Sequence, residues 1–535
     1  MRVFPLAAAL ALFLAGCSGS THGLTSSSSS PHAPTGQHDV VLDGTNTTLG
    51  AGRLPAELQG NLSWITRSTG HRGGEPNIGI THGAIYVTAG LGVEKSTDLG
   101  KTWTEAFNLS AFWGPLYDPS AIPNSWPNPP GSPCVVSPPL VGCPGPDQVA
   151  GLTRSSDDML WVDPDTDRVF ADFMTGLYCS KLFFSDDEGG MWTPSPLDCG
   201  VPVNDHQKVV TAHWGPDTMV PPDTVPVYPN LVYYCYNKLL ASDCAVSYDG
   251  GLTFQYDRPT TYVVQQGEGG GQPVLNPACT GGINGHPAGA PDGTLYLPIN
   301  LGCPGPLIMA STNNGLTWAA HLGPTQYGAD EIDPEITVTP DGTAYMLWRG
   351  HERVENGTAK DYEMYLIRSN DRFATWQGPW RVSPPDVHST VFAGLTSGDD
   401  GRIAFAYLGT RDWDGDPSSA PNATRWHLYT GLSLDAEADA PTFRVQQATA
   451  DDSPVQIGCV WLSGGGNPCR NMLDFIDMHH TPDGRPIVVF SDGCVAQCDG
   501  NLTATNLQSR NRYVTIGLLD TGPSLLAATG RFNGS

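Results

Sequence analysis

One eight-residue pattern, Ser-x-Asp-x-Gly-x-Thr-Trp, recurs along this chain and restricts its fold more than any other feature. Ser96 to Trp103 is the full form, and Ser185 to Trp192 and Ser247 to Phe254 are further copies. Ser311 to Trp318 carries Asn313 in the Asp slot, Ser369 to Trp376 is a decayed copy, and Ser433-Leu434-Asp435 with Pro441-Thr442-Phe443 is a copy split by extra residues. The Asp accepts hydrogen bonds from backbone N–H groups that follow it and closes a tight turn. The Gly supplies a positive φ that other side chains resist. The Thr and the aromatic then start a strand, and the aromatic folds back over the hairpin.

This unit resembles the Asp box (BNR repeat) of sialidases and related β-propellers. The resemblance implies an all-β chain of four-stranded antiparallel blades, with the boxes structural and remote from any active site. The closing aromatics stand at 103, 192, 254, 318, 376 and 443, at intervals of 89, 62, 64, 58 and 67 residues, which suits one blade per repeat. Runs such as Ala84 to Val87, Leu231 to Tyr234, Thr343 to Trp348 and Pro486 to Phe490 are rich in β-branched and aromatic residues. Several follow Pro-Asp-Gly turns (291–293, 340–342, 482–484). Counting these second strands predicts seven blades. Six is the alternative, if the last repeat is shared with the N-terminal strand. Arg512 to Ile516 is expected as a late strand that helps close the ring and so removes free sheet edges.

The termini read as export signals. An apolar run from Val3 to Leu14 ends in Leu14-Ala15-Gly16-Cys17, which looks like a lipobox, and Ser18 to about His38 reads as a flexible tether. The expected organisation is a signal peptide over 1–17 with Cys17 lipidated, a tether over 18–38 and one propeller over 39–535. Twelve cysteines remain, in neighbouring pairs expected to be disulfides: Cys134/Cys143, Cys179/Cys199, Cys235/Cys244, Cys279/Cys303, Cys459/Cys469 and Cys494/Cys498. With a formal charge of -27, the chain is poorly suited to nucleic acid, whose phosphates need Lys and Arg.

In a four-stranded blade the box and the Pro-Asp-Gly turn lie on one face, and the connectors on the other. Disulfide-bearing connector loops over a rigid ring are the expected site. Glu75, Asn77, His206, His286, Asp333, Glu335, His388 and Asp477 fall at the starts of inner strands and are expected to ring the mouth. The sialidase resemblance implies three Arg that clamp a substrate carboxylate, a Tyr nucleophile activated by a Glu, and an Asp acid/base. Arg72, Arg349 and Arg411 are the candidates for the clamp, with Arg154 and Arg470 behind them, and Tyr236 and Glu335 for the nucleophile and its base. The family's Arg-Ile-Pro motif ahead of the first box is absent; the nearest match is Arg53-Leu54-Pro55. Two of Glu75, Asp333, Glu335 and Asp477 are candidates for another carboxylate glycosidase. Asp412, Asp414 and Asp416 alternate as in the start of a calcium loop, whereas Asp163 to Asp167 reads as a turn.

The sequence reading is therefore an extracytoplasmic, lipid-anchored propeller that binds carbohydrate or a cell-surface protein through its connector face. No cofactor is required, and Ca2+ is the one ion suggested. An exo-acting, sialidase-like hydrolase is the alternative, and a structural component of the cell envelope the third.

Overall fold

The computed structural model describes residues 46–90, 92–108, 157–175, 179–195, 205–215, 227–238, 241–255, 262–264, 273–275, 283–299, 304–330, 333–463, 467–495 and 511–534. Cys17 and the tether lie outside them, as do Cys134, Cys143, Cys199, Cys279, Cys303, Cys498 and the side chain of Cys179. Among the described residues the regular elements are strands, apart from three 3-10 turns, and no helix is long and apolar enough to cross a membrane.

The strands form antiparallel groups in chain order. Sheet one comprises Ile78–Ile80, Ile85–Ala89, Gly92–Ser96 and Thr104–Asn108; sheet two, Met159–Val162, Val169–Thr175, Cys179–Ser185 and Thr193–Pro194. Sheet three has Asp205–Ala212, Leu231–Lys238 and Ala241–Ser247, with a bridge from Val246 to Gln255 in the fourth position. Sheet four comprises Ala288–Gly289, Leu295–Ile299, Leu307–Ser311 and Ala319–Leu322; sheet five, Glu335–Val338, Ala344–Glu355, Thr358–Ser369 and Gln377–Arg381. Sheet six is Ser389–Ser397, Ile403–Thr410, Arg425–Ser433 and Phe443–Gln447, with Asn46–Leu49 added outside, and it joins sheet five through one residue pair, Tyr362 with Ser389. Sheet seven takes three strands from the C-terminal part, Asp477–His480, Pro486–Asp492 and Tyr513–Pro523, and its fourth from the N-terminal part, Ser63–Arg72. The late strand expected near Arg512 to Ile516 is the partner of that N-terminal strand.

The first strand of each group contacts the first strand of the next, and Asp477–His480 of sheet seven contacts Ile78–Ile80 of sheet one. The apolar core is divided in the same cyclic order. Tyr86 and Phe107 of sheet one meet Leu160 and Phe173 of sheet two; Ile487 and Ile516 of sheet seven meet Ile78 and Val87 of sheet one. Strands such as Phe170-Ala171 send alternate side chains into the cores on either side. A sheet covered on both faces reads as a nearly continuous apolar run, which is why these strands were legible.

Each box is a small hydrogen-bonded corner. Asp98 accepts from the Thr102 N–H at 2.8 Å and from its hydroxyl at 2.7 Å, and Ser96 Oγ accepts from the Gly100 N–H at 2.8 Å. The same contacts recur at Asp249 and Asp371; Asn313 also accepts from the Thr317 N–H but donates its amide to the Thr317 hydroxyl, and the split copy keeps Asp435 on Thr442. The aromatics turn inward and pack on the core shared with the preceding sheet: Trp192 on the core of sheets one and two, Trp318 on that of three and four, and Phe443 on that of five and six. Trp192 also donates to the Ala106 carbonyl of sheet one at 3.0 Å. In the decayed copy, Phe373 occupies the Gly slot at φ +60° and is buried against Tyr296. The disulfides Cys235–Cys244 and Cys459–Cys469 are formed, and Cys494 is disulfide-bonded.

Two predictions follow from this packing. Left-handed backbone costs a non-glycine residue about 1–2 kcal/mol, whereas removing a buried Phe costs about 3–5 kcal/mol. Phe373→Gly is therefore expected to lower stability by about 1–4 kcal/mol, read by denaturant unfolding, although it relieves the strain. Asp172 is fully buried, and burial pushes its carboxyl up to about 7. Its folded value lies above the unfolded value of about 3.9. The stability it contributes is thus complete below about pH 3.9 and is lost as pH rises through about 7. The melting temperature of Asp172→Asn relative to the parent chain should climb between pH 5 and pH 8; a flat difference would exclude Asp172 as a source of pH dependence.

Candidate functional site

The seven inner strands surround a cavity of about 570 Å3. Its walls include Thr81 and His82 of sheet one, Trp161 of sheet two, Thr211 and His213 of sheet three, Thr337 of sheet five, Ser397 of sheet six, and His479 of sheet seven. The exposed lining residues, His82, Pro164, Asp165, His213, Pro291, Pro340 and Pro482, belong to the turns after the inner strands. Asn77, Glu335 and Asp477, all buried, stand at the strand starts with the part-buried His286. Among the described residues the open end therefore lies on the face of the first-to-second-strand turns, and the strand starts form the floor. This differs from the expected mouth on the connector face. Contacts across that turn face, such as box residue Arg372 on turn residue Asp292 at 2.8 Å, place boxes and turns together as expected.

The floor gathers charged groups from successive strand starts. Lys208, fully buried, donates to Asp333 Oδ2 at 3.1 Å, and its ammonium lies 3.7 Å over the Phe475 ring. His206 Nδ1 lies 3.4 Å from the same oxygen. His286 Nδ1 is 2.5 Å from Glu335 Oε1 and 3.9 Å from Asp333 Oδ1. Asp477 accepts from the Ile78 N–H at 3.0 Å, and the Asn77 amide, oriented to satisfy its neighbours, donates to Asp477 and to the Leu160 carbonyl at 3.2 Å each. Asn77 thereby ties three sheets together. Glu75, at φ +52°, accepts from the Asp474 N–H at 3.0 Å, and Arg470 pairs with Asp474.

These environments separate the protonation states of neighbouring groups. Burial would raise Asp333, but Lys208, a hydrogen bond from His206 and the charge of His286 hold it well below the usual carboxylate range. Burial would lower His206, yet its hydrogen bond to Asp333 and the charge of Asp205 push it up to about 9. Burial and Lys208 press His286 down to about 4. Burial with the charges of Asp157 and Asp474 raises Glu75, and burial against the pull of His206 leaves Asp205 at about 7. Burial thus raises the Glu75 and Asp205 carboxyls, while charged and hydrogen-bonded partners hold Asp333 low.

The structure gathers His206, His286, Asp333 and Glu335, with Asn77 and Asp477 beside them and Glu75 near Asp474 and Arg470. Of the arginine candidates it brings only Arg470 there, beside Asp474 and Glu75; Arg154 lies outside the described residues, and Arg72, Arg349 and Arg411 are engaged elsewhere. Arg349 donates to the carbonyls of Asp330 and Thr390, Arg411 pairs with Asp386 at 2.6 Å, and Arg72 lies over Tyr513. Tyr236 is on the second strand of sheet three, its ring tilted 33° to that of Tyr234 at 5.3 Å, and His388 lies 3.8 Å from Asp361. Asp412 accepts from the Arg425 N–H, Asp414 pairs with Lys360 and Arg353, and Asp416 caps Ser418. Their carboxylates are not assembled as one cluster: among the described residues only His286, Asp333 and Glu335 bring three metal-competent atoms within 4.8 Å of one another. Asp163 to Asp167 is a turn whose carboxylates are taken by Tyr228, Asn230, His213 and His82. Sequence reasoning overlooked Lys208 and Trp161. Lys208 sits in a strand whose pattern gives no sign that an ammonium is buried.

No protein-family profile and no curated protein matches the chain. Solved structures are similar to it at low identity. A Dyadobacter fermentans protein of unknown function is 12% identical, over 85% of this chain and 96% of its own, with a TM-score of 0.37. The GH74 enzyme of Niastella koreensis is 15% identical over 84% of this chain and 55% of its own, at 0.40. A Hadza microbial sialidase is 14% identical over 71% and 65%, at 0.34. At these scores the likenesses bear on neither ligand nor activity.

Lys208 and Asp333 give the site its test. Breaking a buried ion pair from one side leaves an uncompensated charge and costs about 3–5 kcal/mol. Lys208→Met should destabilise by that amount, and adding Asp333→Asn should recover most of it in a double-mutant cycle. Additive losses would show that the two side chains act independently.

Proposed function

We propose that the seven sheets are the blades of a closed seven-bladed β-propeller whose axial cavity binds a neutral glycan. The cyclic contacts of the inner strands and the N-terminal strand in sheet seven support the ring. The observation that carries the ligand reading is the cavity wall. It has the volume of a small-molecule site and offers Thr and Ser hydroxyls, imidazoles and the Trp161 ring, but no arginine or lysine among the described lining residues. Hydroxyl-rich ligands need such donors, acceptors and an aromatic face, whereas a sialoside carboxylate calls for an arginine fork. The chain is read as an extracytoplasmic lipoprotein held through Cys17 and the 18–38 tether, and the disulfides favour an oxidising compartment.

A second reading, a glycoside hydrolase, is favoured by the carboxylates of Asp333 and Glu335, which approach the same His286 imidazole at the floor. Screening the mature chain on a glycan panel, followed by calorimetry, separates the two. Binding of a neutral glycan that weakens at least tenfold in Trp161→Ala and is unchanged in Arg349→Ala supports the binding reading. Turnover of a neutral aryl glycoside, lost in Glu335→Gln, supports the hydrolase. Sialoside binding that depends on Arg349 would overturn the assignment of the cavity.

A further inference from the structure

We propose that His286, Asp333 and Glu335 hold one divalent first-row transition cation at the floor of the axial cavity. One ring nitrogen and one oxygen from each carboxylate lie within 4.8 Å of one another. A cation bonded to such ligands at about 2.0–2.2 Å holds them roughly 3 Å apart. The separations of 2.5 and 3.9 Å from His286 Nδ1 to the two carboxylates bracket that value.

A second observation points to a missing partner. Asp333 has no solvent exposure. Its Oδ2 is occupied by Lys208 and His206, yet its Oδ1, which faces His286, finds no hydrogen-bond donor. Buried carboxylate oxygens are almost always satisfied, and a cation between His286 and Asp333 would satisfy this one. Lys208 opposes a cation by charge, but it is held to the other oxygen and to the Phe475 face, while Asp477 adds negative charge toward His286. The contacts to Oδ2 also orient Asp333, as outer-shell groups do around a metal.

The donor set selects the type of ion. One imidazole and two carboxylates suit Zn2+, Mn2+ or Co2+; Ca2+ favours six to eight oxygens. His286 and Glu335 line the cavity, so the remaining coordination positions face its interior. The scaffold is firm, because Glu335 begins an inner strand and is bridged to His286. The site does not depend on whether the cavity takes a glycan.

The test is titration of the EDTA-stripped mature chain with Zn2+, Co2+ or Ca2+ alone, by calorimetry and, for Co2+, visible absorption. One equivalent of Zn2+ per chain is expected, with Co2+ bands that disappear in His286→Ala. Affinity should fall at least tenfold in His286→Ala and in Glu335→Gln, and stay unchanged in His82→Ala at the cavity mouth. Circular dichroism checks folding, and Glu335→Gln, which preserves size and shape, carries the comparison if His286→Ala does not fold. Absence of a saturable equivalent, an equivalent that survives in the folded variants, or binding of Ca2+ alone would overturn the proposal.

Discussion

The structure depends on one contact, made repeatedly: the aromatic that closes each corner packs on the core shared with the preceding sheet. The serine and aspartate fix the direction of the corner, and the aromatic then has one apolar surface within reach. A sheet with such an anchor on one face and strand side chains on the other cannot be buried alone. It needs a neighbour on both sides, and the last sheet must meet the first. The strand Ser63–Arg72 pairs with Tyr513–Pro523 in sheet seven, so distant parts of the chain lie in one hydrogen-bonded ladder.

Bringing seven inner strands together also concentrates their starts. Polar residues stand at several of these starts, and their side chains meet at the cavity floor. The carboxylates there tolerate burial through shared protons and cations: Lys208 and His206 on Asp333, Arg470 on Asp474, His286 on Glu335. The turn end has no such crowding and opens to solvent. The polarity of the site follows from the direction in which the strands run.

The boxes and second strands were legible because they depend on local chemistry: a carboxylate reaching N–H groups four residues away, and runs of apolar residues buried on both faces. Two neighbouring cysteine pairs are joined as read, since a pair separated by about ten residues spans a single hairpin or loop. The strand-start residues were legible as a set through alignment on the turns. Which end of the axis is open was not, because that is decided by how seven strands converge. Nor was Lys208, whose partner Asp333 lies 125 residues further on. The decayed fifth copy looked poor because Phe373 replaces glycine, yet the corner survives, with the serine hydroxyl still accepting from the residue 373 N–H at 2.8 Å. The burial of that ring outweighs the backbone strain.

The arginines show why a carboxylate clamp did not emerge from the same ring. Arg67 of sheet seven donates to the Leu99 carbonyl in the box of sheet one, at 2.6 Å. Arg168 of sheet two donates to Gly250 in the box of sheet three at 2.6 Å, and Arg368 of sheet five to Ala436 in the box of sheet six. In all three the acceptor is the third residue after the box serine, and at Leu99 and Gly250 that residue has left-handed backbone, at φ +60° and +75°. A guanidinium reaching across to the next sheet satisfies it and links adjacent blades at the rim. The chain has only 27 basic residues, and these arginines are engaged in holding sheets together at the corner face. What lines the cavity is hydroxyl, imidazole, indole and carboxylate, with the Lys208 ammonium buried against Asp333 beneath them.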